Sequence, residues 1–460
     1  MSVKPSLPKG TRDMLPETML RREYIIDHLK EVFKKYGFAP IETPAMENLS
    51  TLTGKYGEEG DRLIFKLLRS GDFLSHADGK SLADKDSSAV LGAISNKALR
   101  YDLTVPFARF VVQNQNEIQF PFKRYQVQPV WRADRPQKGR FTEFYQCDAD
   151  AVGSDSLLLE LDFIRIYKEA FQKLKVPVII KINNRKLLAG IAESLGINNR
   201  LGDFTIALDK LDKIGLQGVQ KELKDRGFEA EAIEGIARIA ALSGNNSEQL
   251  AQIEELVKSS EIGNRGVEEL RFVLEHVDKD TPLQLDLTLA RGLDYYTGAI
   301  FEVVAPDVNL GSVGGGGRYD DLTAIFGMKG LSGIGISFGL DRIYLAMEEL
   351  DLFPDMEAEG TEVLFVNFGL EESLYALKLA NELRDLRVKA EVYPDSAKLK
   401  KQMDFANRKN IPYVVLIGTH EIEKGSFALK HMHSGEQSNM SRVELLQHFS
   451  QNIPSEYGRH

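Results

Sequence analysis

The sequence of 460 residues lacks several features that would place it in a specialised class of protein. Its single cysteine, Cys147, excludes an intramolecular disulfide and any metal site built from several cysteines, and it fits a reducing compartment. The sequence contains no run of about 18 apolar residues, so no transmembrane helix is predicted. The first residues show neither an apolar stretch nor an Arg- and Ser-rich amphipathic pattern, and no targeting segment is expected. These absences together predict a cytoplasmic protein with no membrane partner.

Clustered histidines and an excess of basic charge are also lacking. The eight histidines are scattered without the spacing of metal ligands, so no metal site made of protein side chains is predicted. The formal net charge of −10 argues against a non-specific nucleic-acid coat, but it allows a nucleic-acid partner that meets local basic patches. The content of 43% hydrophobic and 27% charged residues is ordinary for a globular protein. A chain of this length predicts two or three domains.

Residues 122–150 predict a long antiparallel hairpin. Aromatic and β-branched residues alternate up to Trp131 and again after Arg140, and a charged link with Pro and Gly separates the two runs. Arg132 ends the first predicted strand and Arg140 opens the second. An arginine side chain can hold a phosphate with two hydrogen bonds, so two arginines on one hairpin suggest a polyphosphate site. A solvated hairpin with surface charges is the alternative interpretation.

Hydrophobic periodicity predicts further helices and strands on both sides of the hairpin. Residues 70–96 are rich in Ser, Asp, Gly and Lys and predict an exposed, mobile loop, whereas residues 185–280 predict a charge-rich helical insertion. Four glycines at 314–317 allow a close backbone approach to a ligand, and the absence of a following GK[ST] sequence excludes a P-loop. The other predicted elements are helices at 18–36, 157–174 and 343–350 and strands at 38–41, 63–68, 99–106, 178–182, 283–289, 300–304 and 332–337.

Two polar residues stand out on the predicted strand 99–106. Asp102 and Thr104 would share one face of that strand, because strand side chains have a period of two. A carboxylate and a hydroxyl that point the same way can receive a substrate ammonium. A polar strand end whose groups are satisfied within the protein is the alternative.

The C-terminal part of the chain predicts a separate small α/β domain. An acidic linker at 351–360 precedes predicted strands and helices that alternate in a β-α-β-α-β order, which is typical of a partly parallel sheet. Within residues 398–409, five Lys and Arg against one Asp give a local net charge of +4. A solvated helix face explains such a cluster, and so does an RNA-reading surface.

Four segments, one of which is a pair of sequences, resemble the class II aminoacyl-tRNA synthetases, and within them the histidyl-tRNA synthetase family. The general class II signals are the helix and strand that end at Pro44, the hairpin with Arg132, and Gly339-Leu-Asp-Arg342. The histidine-specific signals are the sequences LARGLDYY, from Leu289 to Tyr296, and GGGRYDDL, from Gly315 to Leu322. The resemblance covers nearly the whole chain.

The resemblance implies a fold and a division into domains. The implied fold class is an α+β catalytic domain, with an antiparallel sheet flanked by helices, a helical insertion and a C-terminal anticodon-binding α/β domain. It also implies a homodimer. The expected boundaries are 1–184 and 281–350 for the two parts of the catalytic domain, 185–280 for the insertion, 351–360 for the linker and 361–460 for the C-terminal domain.

The activity implied by the resemblance has two steps. The carboxylate of L-histidine attacks the α-phosphate of ATP, and tRNA(His) then accepts the histidyl group at its terminal ribose. Arg132 would hold the α-phosphate, and Arg291 would lie opposite it in the place that a metal ion takes in related enzymes. Arg342 would bind the γ-phosphate with Arg140 nearby, and Phe144 would stack on adenine. Mg²⁺ would bridge the phosphates without a dedicated protein cage.

The resemblance also implies a set of residues that bind the amino acid. These are Asp102, Thr104, Gln146, Asp150, Tyr295 and Tyr296. The first three would receive the ammonium, while Asp150 and Tyr296 would hydrogen-bond the two imidazole nitrogens with Tyr295 beside them. Many family members have glutamate where this chain has Asp102, Asp150 and Asp341, so the reach of these side chains is shorter here.

Two other functions are compatible with parts of this pattern. A catalytically inactive, synthetase-like histidine sensor that regulates a biosynthetic enzyme would lack the C-terminal domain and usually the ATP-binding arginines. A synthetase for threonine or proline would lack LARGLDYY. The arginines Arg132, Arg291 and Arg342, together with the C-terminal domain, favour the catalytic enzyme.

Overall fold

The computed structural model describes residues 4–208, 210–290, 295–354 and 360–450. The chain forms two units, Met1–Pro354 and Asp355–His460. The helices of the first unit are α1 (Pro16–Lys35), α2 (Leu49–Leu52), α3 (Gly57–Leu63), α4 (Gly79–Ala83), α5 (Ser87–Ile94), α6 (Thr104–Gln113), α7 (Leu158–Lys173), α8 (Arg185–Ser194), α9 (Leu201–Leu208), α10 (Leu211–Asp225), α11 (Ala230–Ala240), α12 (Asn246–Val257), α13 (Glu261–His276) and α14 (Leu340–Glu349). Its strands are β1 (Ala39–Pro40), β2 (Met46–Asn48), β3 (Lys66–Leu68), β4 (Ser95–Leu99), β5 (Phe122–Trp131), β6 (Glu143–Val152), β7 (Ile179–Asn184), β8 (Leu283–Leu285), β9 (Ala299–Val304), β10 (Ser312–Tyr319) and β11 (Gly333–Gly339).

An eight-stranded sheet forms the centre of the first unit, in the order β1-β5-β6-β11-β10-β9-β7-β8. The inner pairs are antiparallel, and the pairs at the two edges, β1 with β5 and β7 with β8, are parallel. The predicted hairpin is therefore confirmed as β5 and β6. Strands β2, β4 and β3 form a separate three-stranded sheet.

The alternation of residues in the hairpin gives the large sheet one apolar and one polar face. Tyr125, Cys147 and Ala149 are buried in the main hydrophobic core, where α1 and α7 supply Phe33 and Phe163. The residues between them on β5 and β6 point to the opposite face, because successive strand side chains alternate. That opposite face is polar, and it carries the candidate site.

Helices α8 to α13 occupy the segment predicted to be helical, residues 185–280. Their apolar side chains, such as Leu187 and Leu270, belong to the same hydrophobic core as those of the large sheet. No helix within the ranges that the structure describes is long and apolar enough to cross a membrane.

The second unit contains a five-stranded sheet in the order β13-β12-β14-β15-β16. Its strands are β12 (Val363–Phe365), β13 (Ala390–Val392), β14 (Tyr413–Leu416), β15 (Ser426–His431) and β16 (Gln437–Ser441), and its helices are α15 (Leu370–Asp385), α16 (Leu399–Arg408), α17 (Thr419–Lys424) and α18 (Arg442–Ser450). The pairs β12–β13 and β12–β14 are parallel, which confirms the predicted α/β fold. The sequence prediction missed β15 and β16, which extend the sheet with antiparallel pairs.

Predictions for three segments outside the β5–β6 hairpin were wrong. Residues 70–96 are not one loop, because Asp78 and Asp86 accept backbone hydrogen bonds that start helices α4 and α5. Residues 99–106 do not form a strand, since β4 ends at Leu99 and α6 begins at Thr104. The strand predicted at 283–289 ends at Leu285, because the Asp286 carboxylate turns back to accept hydrogen bonds from the N–H and hydroxyl of Thr288.

Candidate active site

A cavity of about 470 Å³ opens on the polar face of the large sheet. Its wall includes β6, β10, β11, the start of α14 and the loop of the hairpin. All four residues that were predicted to bind ATP and lie within the described ranges, Arg132, Arg140, Phe144 and Arg342, line it. Three arginines and one aromatic ring thus surround a space large enough for a nucleotide. The arginines suit the anionic phosphates of a nucleotide, and the aromatic ring suits its planar base.

Arg132 is held in a fixed position at this cavity. Its guanidinium lies 4.2 Å from the ring centroid of Tyr101 and 5.2 Å from that of Phe144. Its Nε donates a hydrogen bond of 3.0 Å to the carbonyl oxygen of Tyr101. Because the stacking and this bond restrict the guanidinium plane, the side chain is preorganised to meet an anion.

The other two arginines come from the hairpin loop and from α14. Arg140 does not open a strand as predicted, because β6 begins at Glu143; it lies in the loop and forms an ion pair of 2.9 Å with Asp134. Arg342 donates to the carbonyl oxygens of Gly139, at 3.2 Å, and Ser312, at 2.7 Å. Arg342 therefore ties the hairpin loop to the edge of β10 beside the cavity.

A second, smaller cavity of about 60 Å³ adjoins the first. The two share the lining residues Gln146, Tyr296, Gly315 and Ser337. All six residues predicted to bind the amino acid line the small cavity. It also contains residues that were not predicted, namely Asp148, Tyr319, Gly335 and Ile336.

Asp102 lies in the turn between β4 and α6 at the bottom of the small cavity, and it is 1% exposed. Asp102 and Thr104 line the same cavity, as predicted. A turn before α6 brings the two side chains together, whereas the prediction had placed them on one face of a strand. Its Oδ1 accepts hydrogen bonds from the Tyr56 hydroxyl at 2.9 Å and the Val105 N–H at 3.2 Å, and its Oδ2 accepts one from the Tyr295 hydroxyl at 3.5 Å. Burial raises the pKa of Asp102, and Arg132 opposes that rise.

Asp150 is 1% exposed and is bonded at both carboxylate oxygens. Oδ2 forms an ion pair of 2.8 Å with Arg124, and Oδ1 accepts a hydrogen bond of 2.6 Å from the Tyr319 hydroxyl. Burial raises the pKa of Asp150, and Arg124 opposes that rise. The structure thus adds Arg124 and Tyr319 to the site as groups that fix a predicted binding residue.

Asp148 is the principal site residue that the sequence prediction missed. It lies between Gln146 and Asp150 at alternate positions of β6, so the period of two could have identified it. The side chain is 2% exposed, and burial raises its pKa to about 7, with Arg124 lowering it and Asp150 raising it further. Near pH 7 the carboxyl is therefore divided between its protonated and ionised forms.

Glycines on β10 and β11 leave the space that the pocket side chains fill. A Cβ atom on Gly335 would lie 2.0 Å from Oδ1 of Asp150, and one on Gly317 would lie 2.8 Å from Cδ1 of Tyr296. The strand that contains Gly314 to Gly317 runs through the middle of the sheet between β9 and β11. Gly314, Gly315 and Gly316 line the large cavity, so the main chain itself forms part of its wall.

Arg291, the other predicted catalytic residue, lies outside the described residues. The described residues before Arg291 end at Ala290, and those after it begin at Tyr295. Tyr295 and Tyr296 are in contact at 4.9 Å between ring centroids, and both line the small cavity. The pKa of each tyrosine is raised, mainly by burial. Both hydroxyls therefore keep their protons near neutral pH.

Comparisons with known proteins identify the family to which the chain is similar. A family model described as histidyl-tRNA synthetase matches residues 10–76 and 83–343, and one described as an anticodon binding domain matches residues 362–452. The Histidine--tRNA ligase of Christiangramia forsetii is 59% identical over 446 residues, which is 96% of this chain and 98% of that protein. The Histidine--tRNA ligase of Phocaeicola vulgatus is 53% identical over 97% of this chain and 99% of that protein.

The same family appears among solved structures. The crystal structure of histidyl-tRNA synthetase from Nostoc sp. PCC 7120 matches with a TM-score of 0.79 and 30% sequence identity, over 98% of this chain and 100% of that chain. The full-length identity to ligases, the match of the family model to most of the chain and the two adjoining cavities point to one conclusion. The chain belongs to the histidyl-tRNA synthetase family.

Proposed function

We propose that the chain activates L-histidine with ATP, forming histidyl-adenylate and pyrophosphate, and then transfers the histidyl group to the 3′ end of tRNA(His). The observation that carries this proposal is the 59% identity to a Histidine--tRNA ligase over 96% of the chain. The geometry supports it as well, since a small acidic cavity adjoins a larger one lined by arginines. An amino acid in the first would present its carboxylate to a nucleotide in the second.

The small cavity offers groups of the right kind for histidine. Asp102, Thr104 and Gln146 would receive the ammonium, which carries three donors and no acceptor. Asp150 and the Tyr296 hydroxyl would hydrogen-bond the two imidazole nitrogens, with Tyr295 beside them. Discrimination follows because a side chain without ring nitrogens would leave these buried polar groups unpaired.

The arginines of the large cavity would bind ATP. Arg132 would hold the α-phosphate, Arg342 the γ-phosphate with Arg140 nearby, and Phe144 would stack on adenine. Arg291 would approach the α-phosphate from the side opposite Arg132. In this reaction the protein acts by positioning the two reactants and by neutralising the charge that develops between them.

Magnesium would enter this site together with ATP. Among the residues that the structure describes, no group of three or more His, Cys, Asp or Glu side chains could hold a metal ion. Mg²⁺ usually binds through substrate phosphates, water and one or two carboxylates, so the proposal needs no dedicated protein cage. When bound, the ion would supply neutralising charge to the phosphates, in addition to the charge of Arg132 and Arg342.

We also assign the chain to the cytoplasm and to a homodimer. The helix and strand that precede Pro44 in the sequence, α1 and β1, would form the dimer interface, as the resemblance to class II synthetases implies. A closed two-fold interface is the commonest arrangement for an oligomer of identical subunits. Mass measurement by light scattering would contradict the dimer if it gave the monomer mass at micromolar concentration with full activity.

Deletion of residues 361–460 is expected to separate the two steps of the reaction. These residues would read the anticodon, and the exposed lysines Lys398, Lys400 and Lys401 at the start of α16 supply basic charge for RNA. Adenylate formation, measured by ATP–pyrophosphate exchange, should be largely retained, whereas charging of tRNA should fall severely. Equal loss of both steps in a folded truncated protein would contradict the assignment.

Histidine-dependent ATP–pyrophosphate exchange tests the proposed function against a histidine sensor. A sensor would bind histidine without exchanging pyrophosphate into ATP, and exchange with threonine or proline instead of histidine would indicate another synthetase. Arg132 and Arg342 line the large cavity, and the C-terminal α/β unit is present, so the structure favours the catalytic function. We expect exchange that depends on histidine and charging that depends on tRNA(His).

A further inference from the structure

Residues 9–12 lie against the loop of the β5–β6 hairpin. The N–H of Thr142 donates to the carbonyl oxygen of Gly10 at 3.0 Å, and the Thr142 hydroxyl donates to the carbonyl oxygen of Lys9 at 3.3 Å. Gly10 has a φ of +87°, and a Cβ atom on it would lie 2.0 Å from the Thr142 hydroxyl oxygen. Glycine is therefore the residue that allows this close approach, which brings Arg12 beside the loop.

Arg12 connects the hairpin loop to the start of α14. Its guanidinium lies 3.2 Å from the ring centroid of Phe141, and its Nη2 lies 2.6 Å from Oδ1 of Asp341. Phe141 belongs to the loop, and Asp341 lies in the first turn of α14. Both of these residues line the large cavity, whereas Arg12 is not among the described residues that line it. Arg12 thus holds two parts of the cavity wall without being part of the wall.

Each residue that Arg12 holds is the neighbour in sequence of an arginine of the large cavity. Arg140 comes directly before Phe141, and Arg342 comes directly after Asp341. A binding site whose loops and side chains become ordered only when the ligand arrives loses affinity, and contacts that order them in advance reduce this loss. The contacts of Arg12 therefore fix the main chain next to both arginines before a nucleotide binds.

Further contacts join the hairpin loop to α14 without duplicating the role of Arg12. Lys138 forms an ion pair of 2.9 Å with Glu349, but both side chains are largely exposed, and exposed ion pairs stabilise little. Arg342 donates to the carbonyl oxygen of Gly139 at 3.2 Å, and this bond is made by the side chain that would itself bind phosphate. Arg12 is thus a link between the two elements that does not use a nucleotide-binding group.

We propose that Arg12 is a positioning residue for the binding of the β- and γ-phosphates of ATP. It acts through Phe141 and Asp341 on the neighbouring Arg140 and Arg342, and it does not contact the nucleotide itself. This inference rests on the proposed function, from which the identity of the nucleotide is taken. The hairpin loop and α14 then present their two arginines at a separation that is set before ATP enters the cavity.

The role of Arg12 depends on the length of the phosphate chain. Arg132, which would hold the α-phosphate, is fixed separately by the ring and the carbonyl oxygen of Tyr101. AMP has the adenine and the α-phosphate of ATP, but it lacks the two phosphates that Arg140 and Arg342 would meet. Loss of Arg12 should therefore weaken the binding of ATP and leave the binding of AMP nearly unchanged.

The variants Arg12→Ala and Arg12→Lys of the full chain test this inference. The dissociation constants of ATP with Mg²⁺ and of AMP are measured by titration calorimetry, and the KM values of ATP and histidine are measured in pyrophosphate exchange. Arg12→Ala should fold, because Nη1 of Arg22 still lies 2.6 Å from Oδ1 of Asp341 and balances its charge.

The matched control is Arg21→Ala. The guanidinium of Arg21 lies 5.1 Å from the ring centroid of Phe353, and it forms an ion pair of 3.7 Å with Glu348 on α14. Arg21 therefore makes the same two kinds of contact as Arg12. Neither Phe353 nor Glu348 is among the described residues that line the cavities.

We expect Arg12→Ala to raise the dissociation constant and the KM of ATP by roughly 5- to 50-fold, which corresponds to ordering two long side chains at the moment of binding. The dissociation constant of AMP and the KM of histidine should change by no more than about twofold, because independent sites show little coupling. Arg12→Lys should restore part of the affinity for ATP, since an ammonium can pair with Asp341 but cannot lie flat on Phe141. Arg21→Ala should leave all of these constants unchanged.

Other outcomes overturn the inference in distinguishable ways. Equal weakening of ATP and AMP would mean that Arg12 supports the whole cavity and not the phosphate-binding arginines. Unchanged affinity for both would mean that Arg12 does not act on the nucleotide. If the wild-type protein binds ATP but shows no exchange with histidine, the proposed function fails, while the calorimetric comparison still decides the role of Arg12. Should Arg12→Ala not fold, Arg12→Lys carries the same comparison.

Discussion

Arg132→Ala is expected to slow histidine-dependent pyrophosphate exchange by about 10²–10³-fold, the usual cost of one preorganised donor in a transition state. Arg132 is stacked on Tyr101 and bonded to its carbonyl, so its position at the cavity is set before ATP arrives. A group that neutralises developing charge affects turnover more than it affects binding of the ground state. The histidine KM should therefore change far less than kcat.

Two variants separate this role from a structural one. Arg132→Lys should restore only part of the rate, because an ammonium does not offer two parallel N–H groups. Arg109→Ala is the matched control, since Arg109 binds Glu47 and lines neither cavity. If Arg132 only supports the Tyr101 turn, Arg132→Ala would lower the melting temperature and leave exchange per folded molecule within a few-fold of wild type.

Arg291→Ala should give a similar loss, about 10²–10³-fold in exchange with little change in the histidine KM. The expectation comes from its place in LARGLDYY, just before the tyrosines that line the small cavity. If Arg291 instead pairs with a neighbouring carboxylate such as Asp294, thermal stability falls while the exchange rate is kept. Measuring the melting temperature and the exchange rate on one preparation decides between these outcomes.

Glu160→Gln is expected to lower the free energy of unfolding of the first unit by about 3–5 kcal/mol, because it leaves a buried arginine without its counter-charge. Glu160 is fully buried and binds Arg318 through two hydrogen bonds of 2.6 Å. Arg318 also donates to Ser332 and to the carbonyl oxygens of Ser154 and Ser156. The arginine of GGGRYDDL is thus a structural residue that secures the end of β10.

Chemical denaturation measures this effect, with Glu261→Gln as the surface control. Glu261 pairs with Arg265 one helical turn away, and both side chains are mostly exposed, so its loss should leave the denaturation midpoint nearly unchanged. The double variant Glu160→Leu, Arg318→Met should lose less than the two single variants together, since it removes both charges at once. A fall of less than about 1 kcal/mol for Glu160→Gln would contradict the prediction.

The hairpin could be predicted from a short, local pattern, and the resemblance supplied many of the residues that line the two cavities. Alternation alone specifies β5 and β6, and the motif LARGLDYY places Tyr295 and Tyr296 without reference to the rest of the chain. The resemblance then brought together side chains from distant segments, such as Asp102 and Asp150, which do share a cavity.

What could not be predicted depends on contacts between distant segments. Leu103 and Val105 resemble strand residues, but helix α6 begins at Thr104 and Pro106 is tolerated in its first turn. The exposed edge strand β16 has no apolar alternation that would reveal it. Asp148 shares the strand period of Gln146 and Asp150, which places it on their face, but its burial in the small cavity depends on segments that are distant in the sequence.

The glycines of the cavity wall limit how the amino-acid specificity of this protein could be redesigned. A wall made of main chain has no side chain to shorten, so the pocket cannot be enlarged from β10 or from Gly335 to admit an unnatural amino acid with a bulkier ring. Adding a methyl at Gly335 would displace the Asp150 carboxylate from the position that Arg124 and Tyr319 hold. Variation that accepts new side chains must therefore come from the tyrosines and the carboxylates facing those glycines, and a library for altered specificity is best built there.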